Sequence, residues 1–496
     1  MIAEIFEIIM IVCFGFSWPM NVIKSYKSRT TKGKSLWFLL LIITGYVFGI
    51  IGKLIGGNFK WYVLFFYVLN LVMVSTDLAL YIRNYRLDMQ NGLLYRRMPM
   101  AIFGVWMWPK SVGVDGADAV VSRCKRAGVT DIYFLTKGLS GTASCRSDIV
   151  PMDCERDLLG ELLEAAHAVS IRVHAWFTSA SDIVYKEKHP ESGRYHYIKG
   201  RDQGLISLAD EAYITYMADF TRELCQAYPI DGLHLDYIRY NHLIYGWSEE
   251  DKARYAAEGA DIAHLTAMME RAFRNEEGPE LFFEAYRQGD ESVHALARAR
   301  RKDVVHFATT LTRVAREAKP GIILSAALMP EGAYEDIAFS DVHYGQNYED
   351  AAKLYDYALP MAYSNAYGKD AAWVRDVALG TMARGMKTIV GVHAYEGGTG
   401  PSLQADIAGL ADVPVEGVCL FREGATAMAF PTEGGIDLYN PLDEAITRVE
   451  AKIVEDTAAV ACNILPGEEK LIPLPFVPEG LRAFAGDKEV CVYLAK

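Results

Sequence analysis

Eight short β-type runs alternate with amphipathic helical runs from residue 100 onward, and this order limits the possible folds more than any other feature of the chain. The runs lie at residues 101–108, 131–137, 172–179, 231–238, 321–328, 357–364, 387–395 and 417–424. Strands that alternate with helices form a parallel sheet, because each helix returns the chain to the starting end of the sheet. Eight such units predict an α/β fold, a (β/α)8 TIM barrel at residues 100–440 with its longest insertion at residues 241–300.

The first 86 residues differ from this pattern, because they contain three long apolar runs near residues 8–23, 36–54 and 61–81. Each run is close to the roughly 20 residues that a helix needs to cross a bilayer core. A cleaved signal peptide has a single run after a basic start, whereas this chain begins with acidic residues. The sequence therefore predicts a three-helix transmembrane bundle at residues 1–86, a linker at 87–99, the barrel, and a small accessory segment at 441–496. That last segment is expected to hold one helical run and a β-like tail.

Charge indicates how the chain is oriented and which partners it avoids. The loop at residues 24–34 and the segment at residues 83–97 are rich in Lys and Arg, whereas the loop between the second and third apolar runs holds only Lys60. Short cytoplasmic loops collect basic residues, so three spans put the N-terminus outside and the barrel in the cytoplasm. The eight cysteines form no CxxC pair and predict reduced thiols. The acidic balance of the rest of the chain argues against a nucleic-acid partner.

Two polar or helix-bending residues lie inside the apolar runs. Pro19 is in the first run and Asn70 is near the middle of the third. This stretch resembles the SemiSWEET and PQ-loop sugar carriers, in which a Pro-Gln pair bends the first helix and an Asn on the third lines the sugar pocket. The resemblance implies transport roles for Pro19 and Asn70, and a homodimer, although Met20 stands in place of the Gln and Gly45 in place of a Trp. The alternative is that the helices only anchor the barrel.

The fourth β-type run, "DGLHLDYIRY" at residues 231–240, carries an ionisable pair. Alternation puts the leucines on one face and His234, Asp236 and Ile238 on the other. If the leucines meet the helices, Asp236 points into the barrel near its mouth, where barrel enzymes have their active sites. An unpaired carboxylate there costs several kcal/mol, so Asp236 is either used in chemistry or paired with a cation such as Arg239.

Other strand ends supply groups that suit carbohydrate binding, because aromatic faces stack on sugar rings and polar groups bond hydroxyls. Together with His234 and Arg239, the candidate substrate-binding residues are Trp106, Trp108, Lys137, His174, Trp176, Tyr240, Tyr363, His393, Tyr395 and Arg422.

Several stretches resemble glycosyl hydrolase-like barrels related to glycoside hydrolase family 10. They are "HAWF", "IDGLHLDYIRY", "RVAREAKPGIILSAALMP", "YALPMAYS" and "GVCLFREG". The resemblance implies a glycosidase that acts on a polysaccharide or oligosaccharide.

Glycoside hydrolysis generally uses two carboxyl groups, about 5 Å apart for retention and about 6.5 to 9.5 Å apart for inversion. Asp236 is the expected nucleophile or base, Glu423 the first candidate for its partner and Glu396 the reserve. No cofactor is expected.

Two alternatives stay open. One is a metal-dependent hydrolase with His174, His234, Asp236 and His393 as ligands, although the first strand lacks the His-x-His of amidohydrolase barrels. The other is a non-catalytic barrel that binds sugars for the membrane domain.

Overall fold

The computed structural model describes residues 22, 26, 36–57, 61–97, 101–393, 397–453, 456–476 and 478–495. The chain divides into two compact units, Met1–Pro99 and Met100–Lys496.

The first unit contains two described helices, α1 (Leu36–Gly56) and α2 (Trp61–Arg97). Among the described residues, Val63–Arg83 is long and apolar enough to cross a membrane, and Leu41–Gly56 is a shorter apolar helix. The first predicted span and Pro19 lie outside the described residues, so the three-helix bundle stays a prediction. Asn70 is buried within this unit.

The described residues of the second unit contain eighteen strands. They are β1 (Ile102–Met107), β2 (Asp131–Lys137), β3 (Arg172–Thr178), β4 (Gly193–His196), β5 (Gly200–Ile206), β6 (Gly232–Asp236), β7 (Ile323–Leu328), β8 (Tyr357–Pro360), β9 (Ile389–His393), β10 (Gly417–Phe421), β11 (Ala427–Thr432), β12 (Gly435–Tyr439), β13 (Ile446–Ile453), β14 (Asp456–Ile464), β15 (Glu469–Pro473), β16 (Gly480–Ala485), β17 (Lys488–Val490) and β18 (Val492–Leu494).

Helices separate the strands. They are α3 (Pro109–Asp115), α4 (Ala117–Arg126), α5 (Leu158–Ala168), α6 (Ile183–Lys188), α7 (Glu211–Ala227), α8 (Glu249–Ala257), α9 (Ile262–Phe273), α10 (Glu280–Arg287), α11 (Glu291–Ala318), α12 (Tyr348–Ala351), α13 (Ser364–Tyr367), α14 (Ala371–Ala383) and α15 (Gly400–Ala408). Short 3-10 turns lie at Pro190–Ser192 and Pro330–Ala333, and a π-helical turn lies at Ser340–Tyr344.

Eight of the strands form a parallel sheet in the order β8-β7-β6-β3-β2-β1-β10-β9. The bridges Ala358–Thr388 and Met361–Gly391 join the two ends of this order, so the sheet closes on itself. Each of the eight lies within one of the β-type runs of the sequence, and the predicted barrel is confirmed. Most of the strands end before the runs do, because the chain leaves the sheet at the carboxyl ends to form the barrel mouth.

The two faces of the barrel strands have different neighbours. Leu233 and Leu235 of β6 pack in the large apolar cluster shared with the surrounding helices, whereas Trp106 and Trp176 lie in the cluster inside the barrel. Gly391 on β9 leaves room for the Trp106 ring, since a Cβ there would lie 2.9 Å from it. The predicted inward direction of His234 is therefore confirmed.

Ile238 departs from the predicted alternation, because it packs in the helix-facing cluster rather than inside the barrel. The reason is local. β6 ends at Asp236, and Tyr237 adopts a left-handed backbone conformation with φ 60°. The period-two pattern of a strand stops where the strand stops, so the residues beyond Asp236 no longer alternate.

The insertion after β6 and the C-terminal segment form additional layers. Helices α8 to α10 and the start of α11 build a separate apolar cluster over residues 243–299. The C-terminal residues form two four-stranded sheets around a third cluster, beginning at β11. The predicted helical run in this segment is wrong, because β13 and β14 pair antiparallel there, and strand pairing outweighs the helix propensity of their Ala and Glu residues.

Candidate active site

His234 lies inside the barrel, where two neighbours use both of its ring nitrogens. Trp106 Nε1 donates to His234 Nε2 at 3.0 Å, and His234 Nδ1 lies 2.9 Å from Ser325 Oγ. An indole N–H can only donate, so Nε2 accepts and the proton of the neutral ring is on Nδ1. Burial, and then the nearby charge of His174, lower the pKa of His234 well below its usual value. The ring is therefore neutral and fixed in orientation.

His174 also lies in the barrel interior, near the starting ends of the strands. Its Nε2 lies 2.8 Å from Asp131 Oδ1, and its ring stacks on Tyr133 with centroids 4.5 Å apart. Burial alone would raise the pKa of Asp131, but hydrogen bonds from His174 and Arg172 outweigh it and lower that pKa to about 2. These contacts account for the burial of His174, and its role in substrate binding stays a prediction.

Asp236 is the last residue of β6 and is 6% exposed. Its Oδ1 accepts a hydrogen bond from Arg239 Nη1 at 2.9 Å and another from the Tyr237 backbone N–H at 2.7 Å. A cation and an N–H donor both stabilise the charged carboxylate. Because both contacts are on Oδ1, Oδ2 is the oxygen that can face a substrate. Pairing with Arg239 was the predicted alternative to catalysis, and this geometry is compatible with both.

Aromatic side chains line the mouth near Asp236. Tyr363 stacks on His393 and Phe421, with centroids 4.8 Å and 5.5 Å away, and burial lowers the pKa of His393 to about 4. Trp176, on the strand that pairs with β6, is 5% exposed, and its Nε1 has no hydrogen-bond partner among the described residues. An indole N–H without an acceptor is a donor available to a ligand.

Glu331, which the sequence analysis did not select, lies in the turn that follows β7. Its Oε1 accepts a hydrogen bond from Tyr367 at 3.2 Å, and its Oε2 is buried without a partner among the described residues. Burial raises the pKa of Glu331, although a hydrogen bond from its own backbone N–H, the Tyr367 bond and the charge of Arg239 oppose the shift. The available sequence signal was a carboxylate three residues beyond the end of a barrel strand, in "LMPEG".

Glu423, the predicted partner of Asp236, is buried beside helices α3 and α4. Ser111 Oγ donates to its Oε2, and Arg123 and Asp115 are the charged neighbours that act on it besides Arg422. Burial raises the pKa of Glu423. In the closed sheet of eight strands, β10 is four strands away from β6 whichever way the sheet is followed. The two strands therefore lie on opposite sides of a barrel that is about 15 Å across. The structure does not bring Glu423 and Asp236 into contact, and their pairing stays a prediction.

A cavity of about 720 Å³ lies between the barrel and the C-terminal strands, with Glu423 in its wall. Tyr439 and Lys488 line the C-terminal side of this cavity. On the barrel side, the Arg422 guanidinium lies 3.6 Å from the centre of the Trp108 ring. Trp108 and Arg422, both predicted to bind substrate, are therefore brought together here and not beside Asp236.

Two other predicted residues are used in internal contacts. Lys137 is fully buried with its Nζ 2.9 Å from Asp182 Oδ2, and burial lowers its pKa. The Tyr240 hydroxyl donates to Asp303 Oδ2 at 2.7 Å, beneath the insertion. Their roles as substrate ligands stay predictions. Tyr395 and Glu396 lie outside the described residues.

The four side chains proposed as metal ligands each have other partners. His174 contacts Asp131, His234 contacts Trp106, and Asp236 contacts Arg239. Within the described part of the chain, no group of three or more His, Cys, Asp or Glu side chains is arranged to hold a metal ion. The metal-dependent alternative stays a prediction.

A closed (β/α)8 barrel with an ion-paired carboxylate and aromatic side chains at the carboxyl ends of its strands has the architecture of a glycosidase barrel. The chain belongs to the family Glycosyl hydrolase-like 10, whose model matches residues 143–397. That range contains Asp236 and Glu331 and ends before Glu423. No curated protein matches the chain.

Solved structures with similar folds include three glycosidases. The PgaB (BpsB) glycoside hydrolase domain from Bordetella bronchiseptica is 14% identical with a TM-score of 0.52, over 65% of this chain and 94% of that domain. A β-galactosidase from Marinomonas ef1 is 12% identical with a TM-score of 0.48, over 65% of this chain and 54% of that protein. The β-amylase catalytic domain from Paenibacillus polymyxa is 10% identical with a TM-score of 0.48, over 65% of this chain and 92% of that domain. At this identity, the first structure supports the barrel fold alone.

Proposed function

We propose that the barrel hydrolyses glycosidic bonds of a polysaccharide or oligosaccharide, with Asp236 as nucleophile or general base. The observation that carries this proposal is the placement of Asp236. It is a nearly buried, ion-paired carboxylate at the carboxyl end of the fourth barrel strand. Membership in a glycosyl hydrolase-like family supports the same reaction class.

Asp236 has the properties that such a role requires. A nucleophile or base must be charged before the reaction, and Arg239 and the Tyr237 N–H both favour the charged form. Both partners are on Oδ1, so Oδ2 retains a lone pair for the anomeric carbon or for a water molecule. The low exposure excludes bulk water and strengthens the electrostatic interactions in the site.

Substrate recognition would come from the aromatic side chains around Asp236. The Tyr363 ring offers a flat apolar face, and Trp176 Nε1 offers a donor that has no partner among the described residues. A sugar ring matches this combination, because it has an apolar face and hydroxyl oxygens that accept hydrogen bonds.

We also propose that the N-terminal unit holds the enzyme at a membrane with the barrel on the cytoplasmic side, and that this unit pairs with a second copy as a SemiSWEET-like carrier. The apolar segment Val63–Arg83 supports the membrane assignment. Large apolar side chains such as Phe48, Ile55 and Trp61 are exposed on this unit, where lipid would cover them at lower cost than water. The basic segments around the apolar runs support the orientation.

Activity on a glycan panel tests the proposed reaction. The full chain, purified in detergent, is incubated with 4-nitrophenyl glycosides and with polysaccharides, and released phenol and reducing ends are measured. We expect one class of glycoside to be hydrolysed, and a chelator should not abolish this activity. Binding without hydrolysis would indicate the non-catalytic alternative. Loss of activity on addition of the chelator, together with metal found in the purified protein, would indicate the metal-dependent one.

A further inference from the structure

The proposed function assigns one catalytic carboxylate, whereas glycoside hydrolysis generally uses two. Among the sequence candidates for the second, Glu423 follows β10 on the opposite side of the barrel from β6, where it is hydrogen-bonded to Ser111 and lines the cavity beside the C-terminal strands. Glu396 lies outside the described residues. The inference below rests on the proposed function and concerns the identity of this second group.

Glu331 lies next to Asp236 in the sheet order. Strands β6 and β7 are adjacent and parallel, with His234 opposite Ser325 and Leu235 opposite Ala326. The turn that carries Glu331 begins directly after β7, at the same end of the barrel as Asp236. Neighbouring strands are about 4.8 Å apart, much less than the distance across the barrel.

One segment of the chain ties the loops of these two carboxyl groups together. The Tyr240 N–H donates to the Tyr344 carbonyl at 2.9 Å, two residues before Gln346. The Gln346 side chain accepts from the Met329 N–H at 2.8 Å and donates to the Ile238 carbonyl at 3.5 Å. The loop after β6 and the turn after β7 are therefore held against the same residues, which limits their relative movement.

The two carboxyl groups have different environments. Asp236 has a guanidinium partner at 2.9 Å. Glu331 is 9% exposed and has two donors, its own backbone N–H and the Tyr367 hydroxyl, and its Oε2 has no partner on another residue in the part of the chain that the structure describes. A buried oxygen without a donor favours the protonated carboxyl. An ion-paired carboxylate together with a carboxyl group whose pKa is raised by burial is the usual arrangement for acid-assisted glycosidases.

We infer that Glu331 is the general acid of this site, and that its Oε2 hydroxyl protonates the glycosidic oxygen as the bond to the anomeric carbon breaks. As a nucleophile, Asp236 itself bonds to the anomeric carbon. As a general base, Asp236 activates a water molecule that bonds there. One water molecule is consumed overall. Its hydroxyl ends on the anomeric carbon. If Asp236 is the nucleophile, Glu331 takes the proton of this water and is restored directly. If Asp236 is the base, Asp236 takes the proton and releases it to solvent, from which Glu331 regains one. Arg239 lies beside both groups and stabilises their charged forms.

Leaving-group dependence tests this assignment, because a good leaving group departs without protonation. The panel identifies the sugar, and the full chain and its Glu331→Gln variant are then assayed on the 2,4-dinitrophenyl and methyl glycosides of that sugar. We expect kcat/KM for the methyl glycoside to fall by about 10²- to 10⁴-fold, the usual contribution of a general acid. The loss for the 2,4-dinitrophenyl glycoside should stay within about tenfold.

Glu335→Gln is the matched control, since Glu335 is an exposed residue four positions further on, and it should keep the parent's activity on both glycosides. Tyr367→Phe provides a second test that does not depend on the folding of the Glu331 variant. This variant removes the hydroxyl that donates to Glu331 Oε1, which raises the pKa of Glu331 further. The alkaline limb of the pH profile of kcat/KM should therefore move to higher pH.

The outcomes separate this inference from the proposed function. A parent that hydrolyses no glycoside would refute the proposed function itself. An active parent whose Glu331→Gln variant loses equal activity on both glycosides, or whose Glu423→Gln variant shows the selective loss instead, would overturn only the role of Glu331.

Discussion

Glu331→Gln should stabilise the folded protein near neutral pH, although the same change removes activity. The buried Oε2 of Glu331 has no partner among the described residues, and a buried polar atom without a partner costs about 1 to 3 kcal/mol. An amide has nearly the same shape and carries no charge. The amide leaves a polar atom in the same place, so the gain comes only from removing the charge that burial disfavours. We therefore expect the free energy of unfolding to rise by about 1.4 kcal/mol for each tenfold change that burial makes in the acid constant, which for a unit of roughly 400 residues is about 1 to 2 °C in melting temperature.

The gain in stability of Glu331→Gln over the parent should depend on pH. The pKa of Glu331 is raised in the folded state above its ordinary 4.5, so its contribution to stability is present below pH 4.5 and is lost as the pH rises through the folded value. Glutamine does not titrate, so the advantage of the variant should grow from pH 4 to pH 8. Thermal unfolding of the variant, the parent and Glu335→Gln would measure it. A variant less stable than the parent at pH 8, or an advantage independent of pH, would refute the reasoning.

Three further predictions address other parts of the account. Trp176→Phe should weaken glycan binding by about 0.5 to 1.5 kcal/mol in isothermal titration, since it removes one ligand hydrogen bond and keeps an aromatic ring; unchanged affinity would mean that the Trp176 N–H does not meet the ligand. Trp106→Phe should lower the free energy of urea unfolding by about 1 to 3 kcal/mol, because His234 Nε2 loses its donor; no loss would contradict the assigned tautomer. C-terminal fusions should show a bright fluorescent protein and weak alkaline phosphatase, and the reverse would put the barrel outside the cell.

The barrel could be predicted from the sequence, because each strand needs only a local signal. An apolar run such as "GVCLF" predicts a strand by itself, and the helices between the strands predict that the sheet is parallel. The C-terminal segment shows the limit of this reasoning. The residues of β13 and β14 include many helix formers, and only their pairing with each other and with β16 makes them strands. β13 and β14 are neighbours in the chain, but the pairing of β13 with β16 joins residues far apart, such as Lys452 and Gly480, and has no local signal.

The site was less predictable than the fold. The catalytic role of Asp236 stays a prediction, but its position could be predicted, because it follows leucines in strict alternation and sits at a strand end. Glu331 could not, because it lies in a turn beyond the strand, where side-chain direction depends on turn geometry and not on period two. The same limit applies to Glu423, whose position after β10 did not predict its hydrogen bond to Ser111 of α3.

The comparison of Asp236→Asn with Asp231→Asn tests the central claim most directly, because the two aspartates lie at opposite ends of the same strand. Asp231 accepts a hydrogen bond from the Val173 N–H at the closed end, far from the mouth. We expect Asp236→Asn to lower kcat on the hydrolysed glycoside by several orders of magnitude, while its melting temperature stays close to the parent value. Asp231→Asn should keep kcat. Near-normal turnover by Asp236→Asn would contradict the proposed catalytic role.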